Sequence, residues 1–349
     1  MAWRPAIYTC TLVDTLPNPD EHHHHLNLTT PTLSMANTAR SAPSLSPLTS
    51  PEPSAHTAAA AAVSVERLVL DICHRERRAM AMQILAKVMK RHEDVALAIW
   101  HSRSTMAALI QEIVSIYRYL SPPRLSMADS TRVCYALALL KCVASHRETR
   151  TPFLQAGIPL YLYPFLNTSS VEKPIEYVRL TSLGVIGALV KYDDAVAINF
   201  LIQTELLPLC LRAMEMGTLL SKTVATLIVQ KVLMDEVGLQ HVCSTAERFY
   251  SVCDVLAFMV TSRVEPPSVR LLKYIIICYR RLSENLRASF CLNDRLPKEL
   301  RDADFIECLR DDPEAMSCLR QLLQNIGIAA ATFQAHQQGG VNYIIRSWR

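Results

Sequence analysis

Residues Leu180–Asp193 read LTSLGVIGALVKYD, and this stretch decides the class of fold. It is almost wholly apolar, holds Gly184 and Gly187 three residues apart, and ends at a lysine and two aspartates. Its run of about 11 mainly apolar residues is shorter than the roughly 18 needed to cross a bilayer. The spacing of the glycines also differs from the GxxxG pattern of membrane helix dimers. The stretch is therefore interpreted as a buried helix in which the glycines let neighbouring helices approach closely, and no membrane segment is expected.

Similar apolar segments recur along the chain at a nearly constant period. They open near Val133, Val178, Lys222 and Val269, so their starts lie 45, 44 and 47 residues apart. Glycine is scarce after residue 63, strand-like alternation is nearly absent, and Leu, Ala, Met, Lys and Glu dominate, which favours helices. The period therefore indicates a helical repeat.

Each repeat reads as a very apolar helix, a polar turn, an amphipathic helix and a helix that begins with proline. Pro159 and Pro208 suit a first helical turn, where the missing N–H is no loss. Two or three helices in about 40 to 47 residues are typical of armadillo and HEAT solenoids. Further units fit Val65–Tyr119 and Pro297–Ile326. The prediction is an all-α, armadillo/HEAT-like solenoid of about six repeats.

Composition divides the chain into three parts. Residues 1–62 form a low-complexity extension, and the first 63 residues hold eight of the 19 prolines. Such a segment buries too little apolar surface to offset its ordering entropy, so disorder is expected. Residues 63–326 are predicted to form the repeat domain, and residues 327–349 a poorly ordered tail.

Charge and cysteine usage narrow the function classes. A net charge of +4 is too small to indicate a nucleic-acid binder by itself. The eleven cysteines form no CxxC pair, which indicates a reducing, intracellular environment. The motifs of serine hydrolases, zinc proteases and nucleotide-binding loops are absent, so no enzyme activity, catalytic residue or cofactor is expected.

Three charged features each allow two interpretations. His22–His25 is either an incidental tract or a metal site, and the former is favoured, so no metal site is predicted. The aspartate pairs at 193–194 and 311–312 fit helix boundaries better than acid–base chemistry. Basic residues of the later repeats fit either a solvated helix face or a groove for single-stranded RNA. The groove residues would be Arg248, Arg270, Lys273 and Arg287.

The middle of the chain resembles a known family. The stretches Arg132–Leu154, Glu176–Asp193 and Leu220–Leu239 carry the resemblance most clearly. They are similar to the "required for cell differentiation" (Rcd-one) family, the armadillo-repeat subunit of the CCR-four–NOT deadenylase complex. The resemblance covers about Val65–Ile326. It implies a non-catalytic adaptor that docks on the NOT scaffold subunit, recruits mRNA-bound regulators, and works in the cytoplasm, including P-bodies, with the nucleus as a further location.

The resemblance also implies where the scaffold docks. His101, Ala107 and Val114, in the stretch WHSRSTMAALIQEIV, stand where the family has contact residues. Ala107 and Val114 are seven residues apart and so share one face of a helix. Arg103 replaces the family's usual phenylalanine, which weakens or reshapes one anchor of the interface.

Two further surfaces follow from the same resemblance. Val224 stands in the groove where RNA-binding regulators place short amphipathic helices. Arg248 and Arg287 match a region that accepts single tryptophans of silencing proteins, but Ala246 replaces a tyrosine and Cys291 an alanine there. Full tryptophan recognition is therefore not expected. Whether the free chain forms a homodimer stays open.

Overall fold

A computed structural model describes residues 64–89, 94–192, 194–262 and 267–338. Within these ranges the chain forms α-helices joined by short turns and 3₁₀ segments, and no strand occurs there. The extension expected over residues 1–62 lies outside the described residues. The helices are α1 (Val65–Asp71), α2 (Arg78–Val88), α3 (Val95–His101), α4 (Arg103–Ser115), α5 (Met127–Ser145), α6 (Arg147–Gln155), α7 (Tyr163–Leu166), α8 (Lys173–Val190), α9 (Ala195–Gln203), α10 (Leu206–Met216), α11 (Leu219–Met234), α12 (Glu236–Cys243), α13 (Ala246–Thr261), α14 (Val269–Leu282), α15 (Leu286–Arg295), α16 (Ala303–Cys308) and α17 (Pro313–Gln338).

Five long helices, α5, α8, α11, α14 and α17, form a central ladder in which they pack against one another in chain order. Between consecutive rungs, shorter helices such as α9 and α10 cover the ladder and contact their counterparts in the next repeat. Because each unit contacts mainly its neighbours, this is the architecture of a solenoid. The all-α armadillo prediction, with about six repeats, is confirmed.

Residues 180–192, the apolar stretch LTSLGVIGALVKY, form the second half of α8 and the turn after it. Leu183, Val185, Ile186 and Leu189 have no exposed surface, because α5 packs against one side of α8 and α11 against another. Fully burying each such side chain stabilises the fold by roughly 1.5–3 kcal/mol. The interpretation as an inner helix is confirmed.

The ladder helices begin earlier than the apolar pattern indicates. α5 begins at Met127 rather than near Val133, and α8 begins at Lys173 rather than near Val178. The first turn of α5 is polar or exposed and is fixed by a cap, because the Ser126 hydroxyl accepts from the N–H of Asp129 at 3.1 Å. α8 begins instead with Lys173 and Pro174, and proline suits a first helical turn. Hydrophobic periodicity therefore marked only the buried part of each helix.

The helix-boundary predictions agree with the structure. Asp194 caps α9 by accepting from the N–H of Val196 at 3.0 Å, and Asp312 accepts from the N–H of Ala315 at 3.0 Å. Pro159 lies in the first turn of the 3₁₀ segment Ile158–Leu162, and Pro208 in the first turn of α10.

The predicted role of Gly187 is wrong. A Cβ built there would lie 3.8 Å from Val224 Cγ1, an ordinary contact, so close packing does not require glycine. Gly217 after α10 is tight, with a Cβ 2.6 Å from the carbonyl oxygen of Ala213. The tightest described position is Gly238 in α12, where a Cβ would lie 1.9 Å from the carbonyl oxygen of Val232. The tight approach occurs where α11 turns into α12, a feature with no hydrophobic signature.

A buried ion pair joins two repeats. The guanidinium of Arg179 in α8 has no exposed surface and donates to the Glu176 carboxylate. It also donates to the carbonyls of Thr168 (2.9 Å) and Ser170 (2.7 Å), while Glu176 accepts from the N–H of Thr218 at 2.9 Å. The pair therefore fixes the loop before α8 to the turn between α10 and α11.

The last helix, α17, runs from Pro313 to Gln338. The domain end expected at Ile326 therefore falls inside a helix, and Ile326 itself is buried against the core. The start of the expected C-terminal tail is helical as far as Gln338.

Candidate protein-interaction surfaces

One surface is the solvent side of α8 and α11, named here the ladder face: Tyr177, Thr181, Gly187, Thr223 and Val224, all half-buried. The hydroxyl of Thr181 donates to the carbonyl of Tyr177 at 2.7 Å, and that of Thr223 to Leu219 at 2.6 Å. Because these hydroxyls are satisfied within their own helices, the ladder face is uncharged and offers mainly carbon to a partner.

On α14, the next helix of the ladder, the exposed side carries basic side chains, and these are paired with neighbouring groups. Lys273 forms ion pairs with Asp312 (3.0 Å) and Glu314 (2.7 Å) of α17. Partial burial favours the neutral amine, but the two carboxylates outweigh it and raise the pKa of Lys273 to about 12. Arg270 donates to the Tyr274 hydroxyl at 3.2 Å. Much of the positive charge expected for an RNA groove is thus already engaged.

A second surface is the exposed side of α4. The stretch WHSRSTMAALIQEIV is two helices rather than one, because Ser102 ends α3 and caps α4 by accepting from the N–H of Thr105 at 3.4 Å. His101 therefore belongs to the end of α3, whereas Arg103, Ala107 and Val114 lie on α4. These four residues form the α4 face.

The α4 face is exposed while the opposite side of the helix is buried. Val114 is 40% exposed, and Arg103 and Ala107 are also exposed, whereas Leu109 and Ile113 have no exposed surface. The core side anchors α4 against α5 and leaves a face with a small central residue between a valine and an arginine. Such a face lets a partner helix approach closely.

A third surface, the α13–α15 face, lies where α13 and α15 pack together: Ala246, Tyr250, Arg287 and Cys291. Arg248 is two residues from both Ala246 and Tyr250, so it lies on another side of α13 and is not brought together with them. Ala246 and Tyr250 are one turn apart on α13, and Arg287 and Cys291 are one turn apart on α15. Arg248 and Cys291 are half-buried and Arg287 is exposed. Arg248 lies 3.8 Å from the carboxylate of Glu205 and donates to the Ser244 hydroxyl at 3.3 Å.

The sequence reading missed Tyr250. Its ring is covered by the guanidinium of Arg295 at 4.7 Å, a cation–π contact. Partial burial and a hydrogen bond with Cys291 raise the pKa of the Tyr250 phenol. Tyr250 follows Ala246 by one turn, so an aromatic side chain is present close to the position where the resemblance implied a lost tyrosine.

The described ranges give little support for a metal-binding, membrane-spanning or disulfide-bonded protein. No three His, Cys, Asp or Glu side chains are grouped there as a metal site, and His22–His25 lies outside those ranges. No single described helix has the length and hydropathy of a membrane span, although α9 and α10 would pass together and are bent by 83°. The described cysteines are free thiols.

Comparisons with known proteins agree with the repeat architecture. Residues 68–326 match the model of the cell differentiation family, Rcd1-like. The chain is 54% identical over 266 residues to "Cell differentiation protein rcd1" of Schizosaccharomyces pombe, covering 76% of this chain and 94% of that protein. It is 50% identical over 261 residues to "Protein CAF40" of Saccharomyces cerevisiae, covering 74% of this chain and 70% of that protein. Its fold matches a computationally designed armadillo repeat protein for modular peptide recognition, with a TM-score of 0.55, 12% identity, and coverage of 75% and 99% of the two chains.

Proposed function

The chain belongs to the Rcd1-like cell differentiation family, and from this premise we propose that it is a non-catalytic adaptor subunit of the CCR-four–NOT deadenylase complex. In this role it docks on the NOT scaffold subunit and recruits mRNA-bound regulators for deadenylation, decay and translational repression. Its place of action is the cytoplasm, including P-bodies, and the nucleus. The scaffold-docking surface is the α4 face.

The observation that carries the proposal is the contrast between the two sides of α4. The buried side ties the helix rigidly to α5, so the exposed side is presented without further ordering. A rigid, partly apolar face lowers the entropy cost of binding. Ala107 and Val114 are placed to receive an apolar helix, and Arg103 stands at the edge of the contact.

The ladder face supports the second half of the proposal. An uncharged strip with Val224 at its centre suits the apolar side of a short amphipathic helix, which is the form expected of the regulators. The floor of this strip is rigid, because Ala225 and Val229 on the buried side of α11 have no exposed surface. A bound helix would therefore meet a preformed surface.

The experiment is a binding assay between the full chain and the NOT scaffold segment of the same organism. Ala107→Glu with Val114→Glu buries two charges in the proposed contact, so the affinity should fall at least tenfold, or about 1.4 kcal/mol. Arg103→Phe should tighten binding, because an aromatic side chain supplies more contact area.

The matched control carries Val196→Glu and Val237→Glu, two valines that are each 52% exposed on α9 and α12. This variant has the same added charge on other repeats and should bind the scaffold normally. Equal binding by the α4 variant and the control would exclude the α4 face as the docking surface. Failure of all proteins to bind would reject membership of the complex itself.

Tryptophan-containing silencing proteins and RNA are secondary partners in this proposal. Arg248 is engaged by Glu205, and Lys273 is paired with Asp312 and Glu314, so we expect weak binding in both cases. For RNA, the measurement is the slope of affinity against salt concentration for single-stranded RNA. A steep slope would indicate several phosphate contacts and a larger role for RNA.

A further inference from the structure

Ser244 lies in the turn between α12 and α13 and is exposed. Its hydroxyl donates to the carbonyl of His241 at 2.7 Å and accepts from Nη1 of Arg248 at 3.3 Å. The Ser244 side chain is therefore held in place with its oxygen directed at a guanidinium.

This surrounding differs from that of two other exposed serines, Ser64 and Ser126. The hydroxyl of Ser64 donates to the carboxylate of Glu66, and that of Ser126 to the carboxylate of Asp129. A phosphate on either oxygen would meet a negative charge. At Ser244 the partner is cationic, and a guanidinium binds phosphate oxygens through parallel, charge-assisted hydrogen bonds.

The sequence around the turn fits the reaction as well as the product. Glu247 stands three residues after Ser244. Kinases select substrates partly by the pattern of charge around the acceptor, and an acidic residue here would suit a kinase with a basic substrate pocket. α13 starts next to the turn, and its positive end favours nearby negative charge.

We propose that Ser244 is a phosphoryl acceptor and that Arg248 binds the phosphate once it is formed. In the step, the Ser244 oxygen attacks the γ-phosphorus of ATP, the bond to ADP breaks, and the hydroxyl proton passes to the base of the protein kinase. Arg248 then leaves Glu205, which lies 3.8 Å away, for the stronger charge of the phosphate. The modification would change the surface around Arg248 from positive to negative.

The other charged groups around the site leave this outcome intact. Burial and then the charge of Arg248 lower the pKa of His241, so its imidazole is neutral near pH 7. Glu205 and Glu247 oppose the phosphate, but Glu247 is exposed, so water screens its charge. Arg248 supplies the cation that lies within hydrogen-bond distance of the Ser244 oxygen.

The first test is incubation of the full, folded chain with ATP and an acidophilic serine kinase, followed by mapping of the phosphorylated peptide. Phosphate should appear on Ser244 and be absent from that residue's peptide in Ser244→Ala. Glu247→Gln should slow incorporation several-fold. Absence of phosphate on Ser244 in the native chain would overturn the proposal, and circular dichroism shows whether each variant is folded.

The second test measures the second pKa of the phosphate by ³¹P NMR. In the native protein it should lie about one unit below its value in the denatured protein, because Arg248 favours the dianion. Arg248→Gln should remove the difference, and Arg320→Gln, an exposed arginine on α17, should leave it unchanged. A phosphate that titrates alike in native and denatured protein, or is indifferent to Arg248, would overturn the role of Arg248. Neither test involves the NOT scaffold, so their outcome is independent of the proposed function.

Discussion

Arg179→Met should destabilise the solenoid strongly, although the side chain belongs to none of the proposed binding surfaces. Arg179 has no exposed surface and sits among the buried apolar side chains of α8. Methionine retains much of the volume of arginine, so the substitution tests charge and hydrogen bonding rather than packing. The substitution removes the cation that pairs with the Glu176 carboxylate, a side chain that is only 7% exposed. It also removes the donor to the carbonyls of Thr168 and Ser170.

The magnitude follows from these losses. Breaking a buried ion pair by removing one partner costs about 3–5 kcal/mol, because the remaining charge stays desolvated. The hydrogen bonds from Thr218 to Glu176 persist and hold the estimate at the lower end. A loss of about 3 kcal/mol is a large part of the 5–15 kcal/mol typical of a folded domain.

Urea denaturation followed by circular dichroism measures the loss, and hydrogen exchange of α8 shows whether the opening is local to its repeat. The decisive comparison is the double variant Glu176→Gln with Arg179→Met, which removes both charges and keeps an acceptor for Thr218. It should be more stable than Arg179→Met alone by about 1 kcal/mol or more. A cost below about 1 kcal/mol for the single variant, or simple additivity in the double variant, would refute the reasoning.

Three further predictions concern single positions. Gly238→Ala should lower the free energy of unfolding by about 1–3 kcal/mol, because its Cβ would overlap a backbone carbonyl. Gly187→Ala is the control: it has room for a Cβ, so its free energy of unfolding in urea should be unchanged or slightly raised. A Gly238→Ala variant as stable as the native protein would contradict the tight turn. Partial burial opposes ionisation of Asp312, but a backbone N–H of α17 and Lys273 prevail and lower its pKa. This carboxyl therefore contributes stability above its unfolded pKa of about 4 that is lost as the pH falls further, and Asp312→Asn should flatten the acid limb of a thermal melting profile. Iodoacetamide should modify the exposed Cys308 of the native protein well before the buried Cys134, Cys210 and Cys278, because burial raises the pKa of those three thiols. Mass spectrometry of peptides at early times measures the order of modification. The reverse order would show that α5, α10 and α14 open readily.

Most of the fold could be predicted from the sequence because a solenoid repeats its hydrophobic pattern. Each ladder helix is buried by the rungs before and after it, so its apolar segment recurs at the period of the repeat. The hydrophobic pattern correctly identified α8 and α14 as helices of successive repeats. It did not give the first turn of α5 or the break at Ser102, because these depend on capping hydrogen bonds rather than on hydrophobicity.

The candidate surfaces were harder to predict for a related reason. Residues on an exposed face need no periodic pattern, so Ala107 and Val224 gave no signal of their own and were chosen by resemblance. Contacts between residues of different repeats could not be predicted from the sequence either. The pairing of Lys273 with α17 and the cover of Arg295 over Tyr250 join residues about forty positions apart, and only the packed structure brings them together.

The ladder also determines how independent the surfaces are. The α4 face and the α13–α15 face belong to repeats that do not contact each other, since α4 packs on α5 and α13 packs around α10 and α14. In a solenoid, stability is approximately a sum of units and nearest-neighbour interfaces, so a substitution on one face perturbs distant repeats little. Charge added on the α4 face, or phosphate added at Ser244, should therefore change binding at that place alone. An adaptor built in this way can lose or gain one partner without losing the others, whereas a change at Arg179, between repeats, affects the frame that holds them all.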